Sequence, residues 1–221
     1  MAQLRKVQDP ALCRDAASGV LGQAVPDIVN RKVPRRRPNA AYRSREYLLE
    51  KEVADLIAAA AREGRHGARD AALILIAYRH GLRVSELVSL RWDQVDLTQA
   101  LVHVVRRKHG MPAVHPLRGP ELRALRRLRR DSPDSAYVFI SERKAPLTPD
   151  AVRKIVTRAG QQAGLAFPVH PHMLRHATGY KLANDGHDTR AIQHYLGHRN
   201  IQHTTRYTEL ASDRFRDFWQ D

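Results

Sequence analysis

Residues 170–210 read HPHMLRHATGYKLANDGHDTRAIQHYLGHRNIQHTTRYTEL, a run crowded with histidine, arginine and tyrosine. Three chemistries use such groups: a metal site, a basic surface, or a place where a phosphodiester is handled. His172 and His176 stand four apart, a spacing that binds zinc in H-E-x-x-H helices, and His194 and His198 repeat it. The position after His172 is Met173, so the general base of a zinc hydrolase is missing. Arg175 on the same helix would also repel a divalent cation. The zinc reading falls, and no metal or other cofactor is expected.

Charge favours phosphate. The 221 residues carry 38 Lys and Arg against 23 Asp and Glu, a net charge of +15. That excess implies a polyanionic partner, above all nucleic acid. The length suits one domain with a short appendage. A single cysteine, Cys13, allows no internal disulfide and fits a reducing cytosol, so a cytoplasmic protein is expected. The longest apolar run, AALILIAY at 71–78, is too short to cross a membrane.

Outward from residue 170, periodicity predicts a mostly helical domain with a small antiparallel β-sheet. In EKEVADLIAAAAREG (50–64), Val53, Leu56, Ile57 and Ala60 share one helical face, and Gly64 stops the helix. RDAALILIAYRHG (69–81) is apolar nearly all round, which predicts a buried helix ending at Gly81. VSELVSL (84–90) is a shorter helix. ALVHVVRR (100–107) and MPAVHPL (111–117) read as strands joined at KHG (108–110). PELRALRRLRR (120–130) is a helix with Leu122, Leu125 and Leu128 inward and its arginines fanned over the other face. Thr148 caps the next helix, with Pro149 at its first position. Short helices are predicted over 171–185, 188–196, 200–206 and 212–219, with Gly186 and Gly197 as stops. Residues 1–43, with the proline-broken basic run RKVPRRRPNA, are expected to form a flexible arm that is either idle or laid on DNA backbone. Residues 44–210 form the main domain. Residues 211–221 form a tail helix with Phe215, Phe218 and Trp219 on one face.

Arginine offers an always-charged fork that matches two phosphate oxygens. Arg175 supplies one fork and Arg83, just past the Gly81 break, a second; both are expected at the surface, facing DNA. Lys108 in the hairpin turn can reach a leaving oxygen as general acid. Tyr207, among basic and polar neighbours, is a plausible nucleophile, and its ordinary pKa of about 10 requires cationic neighbours to make it reactive.

That combination, in that order, resembles the tyrosine recombinases of the phage-integrase family, and in its short N-terminal region the fimbrial phase-switch invertases. HGLRVSEL (80–87) matches the first arginine motif with Arg83 and its supporting acid Glu86. VVRRKHGMPAVHPL (104–117) matches the hairpin lysine with Lys108. HPHMLRH (170–176) gives His172 and Arg175, LGH (196–198) gives His198, and TTRYTEL (204–210) gives Tyr207. The resemblance implies the tyrosine recombinase catalytic-domain fold. It implies a site-specific integrase or invertase that cleaves and rejoins double-stranded DNA through a 3′-phosphotyrosyl intermediate. It further implies a homotetramer at the synapse, accessory DNA-bending proteins and no cofactor. Within that resemblance His172 takes the tyrosine proton. His170, His176, His194 and His203 are expected to be structural or to contact backbone. Two alternatives stand beside it: a non-catalytic sequence-specific DNA-binding regulator, and a type IB topoisomerase-like nicking-closing enzyme.

Overall fold

The computed structural model describes residues 46–106 and 111–209. The arm, the hairpin tip carrying Lys108, and the tail helix expected over 211–221 lie outside the described residues. The first helix, α1 (Glu50–Arg62), starts where Glu52 accepts the Leu49 backbone N–H at 2.8 Å. This is half of a capping box, satisfying a donor the helix itself cannot. Its buried face holds Val53, Leu56, Ala59 and Ala60; Ile57 sits at the margin, partly buried.

A 3₁₀ turn leads into α2 (Gly67–Arg79), where Leu73, Ile74 and Ile76 are each 1% exposed or less. Sealing each such chain from water contributes roughly 1.5–3 kcal/mol. After the turn at Gly81 come α3 (Val84–Val88) and the strands β1 (Val95–Asp96), β2 (Leu101–Val104) and β3 (Ala113–Pro116), antiparallel in that order. The register sets His115 opposite Val102. The strand β1 is two residues long, too short for a period-2 pattern, and only the hairpin was visible in the sequence.

Helix α4 (Gly119–Asp131) buries Leu125 and Leu128 as expected, with Leu122 partly covered, and its arginines 123, 126, 127, 129 and 130 are exposed. Glu121 of this helix is buried as well, which the stripe did not reveal. Helix α5 (Pro149–Gln162) is capped by Thr148, whose hydroxyl accepts the Ala151 N–H at 3.2 Å. The last three helices are α6 (Pro171–Asn184), α7 (Thr189–Leu196) and α8 (Gln202–Glu209). Asp188 caps α7 through the N–H groups of Arg190 and Ala191, and Gly197 ends it in the left-handed conformation at φ 65°.

Two apolar clusters result. The larger joins α1, α2, α5, one side of α6 and the sheet. The smaller consists of Tyr180, Ala183, Ile192, Leu196 and Tyr207, from α6, α7 and α8. Helix α6 is the wall between them and is buried on nearly every side, from Met173 to Ala183. Among the described residues no helix is long and apolar enough to cross a membrane.

Candidate active site

The turn after α2 places Arg83 at the N-cap of α3, one helical turn from Glu86. Glu86 accepts the Arg83 backbone N–H at 2.9 Å and Arg83 Nη1 at 2.9 Å. Its second oxygen also accepts Arg106 Nη1 at 2.9 Å. Burial alone pushes the Glu86 carboxyl up, but the Arg83 N–H and the Arg106 charge outweigh it and hold the group below its ordinary value. An ionised Glu86 therefore orients both guanidinium groups. The Arg83 side chain remains 25% exposed, with an edge left for a ligand.

Arg175 departs from the sequence expectation. It is 5% exposed, not a surface group. Its Nη1 donates to the Gly81 carbonyl and its Nη2 to the Leu196 carbonyl at 2.7 Å. Burial, then the nearby charges of Arg83 and Arg106, push its pKa down to about 9, which still leaves it protonated at neutral pH. The reason it turns inward is that α6 has a second core to face, so a polar residue on it can be enclosed if backbone carbonyls receive it. His172, one turn earlier on α6, is exposed.

His198 follows the Gly197 break. It is 7% exposed, and its Nδ1 lies 2.9 Å from the Thr204 hydroxyl. Burial, then Arg175 and Arg83, lower its pKa to about 3, so the ring is neutral and can offer an N–H. Arg83, Arg190, His198, Arg199 and His203 line an open cleft, a basic concavity suited to a phosphodiester.

Tyr207 lies on α8 and is 1% exposed. Its ring stands edge-on to Tyr180, centroids 5.0 Å apart, and rests on Gly179. A Cβ at Gly179 would come within 2.6 Å of the ring. The hydroxyl is 2.9 Å from His176 Nδ1. Burial raises the phenol pKa against the lowering pull of Arg175 and Arg206, and burial lowers His176 to about 4. Both groups are thus neutral at pH 7 and share one hydrogen bond, whose direction the His176 tautomer sets. His176, expected to be structural, is the partner the geometry gives the tyrosine.

Of the residues expected from sequence, Arg83, Glu86, Arg175, His198 and Tyr207 come together. His172 stands on the same helix at the surface, and Lys108 lies outside the described residues. Sequence reasoning missed Arg106 and Thr204. Arg106 was hidden in the basic run RRKHG, where nothing marks one arginine as buried. Among the described residues no three metal-ligating side chains converge.

The sequence profile of the phage integrase family matches residues 46–214. The chain belongs to the phage integrase family. It is 44% identical to the Type 1 fimbriae regulatory protein FimE of Escherichia coli (strain K12), over 80% of this chain and 91% of that protein. The FimB counterpart of the same organism is 41% identical, over 80% and 90%. Tyrosine recombinase XerD of Ralstonia nicotianae (strain ATCC BAA-1114 / GMI1000) is 36% identical, over 76% of this chain and 57% of XerD. Among solved structures, XerA recombinase superposes with a TM-score of 0.68 at 28% identity, over 78% of this chain. XerH bound to difH also gives 0.68, over 79% of this chain, but at 20% identity, which shows the shared fold alone. This family member spans 63% of the XerA chain and 53% of the XerH chain. By membership and by these relatives it is a tyrosine recombinase, with the catalytic-domain fold of that class.

Proposed function

We propose that this recombinase cleaves and rejoins double-stranded DNA at specific sites through a covalent bond to Tyr207. The observation that carries the reading is a basic cleft lined by Arg83 and His198, with Arg175 enclosed between the Gly81 and Leu196 carbonyls and the buried Tyr207 ring 6.3 Å from that of His198. Arg83 and Arg175 hold the non-bridging oxygens and neutralise the charge that grows on phosphorus, and His198 donates a further hydrogen bond. The Tyr207 oxygen bonds to phosphorus and the bond to the 5′ oxygen breaks. Lys108 gives that oxygen its proton. The phenol proton passes to His172, while His176 holds the hydroxyl at rest. The product is a 3′-phosphotyrosyl link and a free 5′-hydroxyl. Attack by the 5′-hydroxyl of another strand reverses the chemistry on a new partner without ATP.

Tyr207 cannot reach a phosphate from its buried position, so α8 must shift when DNA binds. A homotetramer on two sites gives it a place to go, with the tail over 211–221 docking on a neighbouring protomer and the basic arm over 1–43 laid on the duplex. Accessory DNA-bending proteins and a nucleoid location in the cytoplasm complete the reading. The deciding experiment incubates the protein with site-containing DNA nicked beside the scissile phosphate, which traps the cleaved state, and resolves the products under denaturing conditions. A covalent adduct that yields strand-exchanged junctions supports the recombinase. No adduct points to a DNA-binding regulator, and relaxation of supercoils without junctions points to a nicking-closing enzyme.

A further inference from the structure

Arg106 has no part in the chemistry just described, yet its side chain is 0% exposed. Its Nη1 donates to Glu86, and its Nη2 donates both to the His80 carbonyl at 3.3 Å and to the Tyr195 carbonyl. Its aliphatic stem fills the space beside Gly197, where a Cβ would come within 2.7 Å of Arg106 Cγ. One guanidinium thus ties together the turn between α2 and α3, the end of β2 and the end of α7. Those segments carry Arg83 and His198.

A second crossbar joins the same two ends. His80 Nδ1 lies 3.2 Å from His115 Nδ1, and the His115 ring stacks on Tyr195 with centroids 3.9 Å apart and planes 15° from parallel. Behind them His80 Nε2 lies 2.7 Å from Glu121 Oε1, both side chains nearly sealed from water. Enclosing the Arg106 and Glu86 charges is expensive. Aliphatic side chains of the same volume often hold a fold as well or better. A brace that served stability alone would have little reason to be ionic.

We propose that Arg106, supported by the His80–His115–Glu121 crossbar, is a positioning residue for DNA cleavage. It fixes Arg83 through Glu86, and it fixes His198 through the Tyr195 carbonyl and Gly197. The inference rests on the reading of Arg83 and His198 as phosphate ligands. It differs from a structural role in one measurable respect. If Arg106 acts by aiming charge at the phosphate, its loss matters less when the phosphate carries less charge.

The test uses Arg106→Lys in the full chain. Lysine keeps a cation for Glu86 but cannot serve the carboxylate and both carbonyls in one plane. The rate of adduct formation is measured at saturating nicked DNA, once with the natural scissile phosphodiester and once with a methylphosphonate, in which a methyl group replaces one non-bridging oxygen. The variant is expected to lose at least about tenfold on the natural phosphate and less than about threefold on the neutral one. DNA affinity should stay within about threefold of the wild type, because the effect lies on the reaction and not on binding. Equal losses on both substrates, or none on either, overturn the proposal. Should Arg106→Lys fail to melt cooperatively, His115→Phe carries the same comparison. It keeps a ring on Tyr195 and drops the His80 contact, and the same relief on methylphosphonate is expected. A wild-type protein that makes adduct normally while the variants show no such relief refutes the positioning role alone. A wild-type protein that makes no adduct on either substrate refutes the recombinase reading, and this inference with it.

Discussion

The Tyr207 hydroxyl and His176 Nδ1 lie 2.9 Å apart, joining α8 to α6 by one neutral hydrogen bond. Tyr207→Phe removes that bond and keeps the ring against Tyr180 and Gly179. The variant should bind DNA normally and form no covalent adduct on nicked substrate. It should also lose about 1–2 kcal/mol in urea unfolding, because His176 Nδ1 is left without its partner in a largely enclosed site. An adduct in the variant would transfer the nucleophile's role elsewhere, to Tyr195 or Tyr180.

Arg83 and Arg175 should separate when each is replaced by lysine. Both variants should cleave at least about a hundredfold more slowly, the loss expected for one transition-state donor. Only Arg175→Lys should also be destabilised, by roughly 2–3 kcal/mol, since it alone serves two buried carbonyls as a charged donor. Arg83 is partly exposed and its variant should melt within about 1 kcal/mol of the wild type. Chemical denaturation beside a cleavage assay reads both quantities. Equal melting of the two variants would deny the enclosure of Arg175.

Acid should unfold the protein through its histidines. Burial first, then neighbouring cations or rings, holds His115 and His198 near 3 and His176 near 4, while in the unfolded chain each titrates near 6.5. Between those values the unfolded state binds more protons than the folded one, so stability rises with pH across that window and is complete above about 6.5. At pH 5.5 each of the three should have cost roughly 1 kcal/mol. Thermal melts from pH 7.5 to 5 should show a steady fall, and replacing His176 by glutamine should flatten part of it. A melting temperature indifferent to pH over that range would contradict the neutral, enclosed state of these rings.

Cleavage should persist in excess EDTA. In the proposed reaction the charge on the transition state is met by arginines, the work a divalent ion does at other phosphoryl-transfer sites. Complete loss of adduct on chelation, with recovery on adding Mg²⁺, would return a metal to the reaction.

The helices were legible in the sequence wherever one face is apolar and an end is marked, as with α5, opened by Thr148 and Pro149. The hairpin was legible from its alternation, and the order of Arg83, Arg175, His198 and Tyr207 pointed to the chemistry. Burial of polar groups was not legible. Hydropathy places Arg175, Glu121, His80 and His115 outside, because whether such a group is enclosed depends on partners distant in the chain, such as the Gly81 and Leu196 carbonyls for Arg175. Spacing likewise put His172 and His176 on one helix and could not decide which of them meets the tyrosine.

The separation of the two apolar clusters has a consequence for how the molecule opens. Helix α6 contributes side chains to both. Helix α8 belongs to the smaller one alone, anchored by Tyr207 and a few neighbours. In the proposed reaction Tyr207 therefore sits on a short segment that can undock while Arg83 and Arg175 keep their places, and undocking also breaks the 2.9 Å contact of His198 with Thr204 of α8. On that proposal reactivity is set by a local equilibrium a few residues long, and DNA supplies the energy of undocking one short helix and of holding the His198 ring once Thr204 has left it.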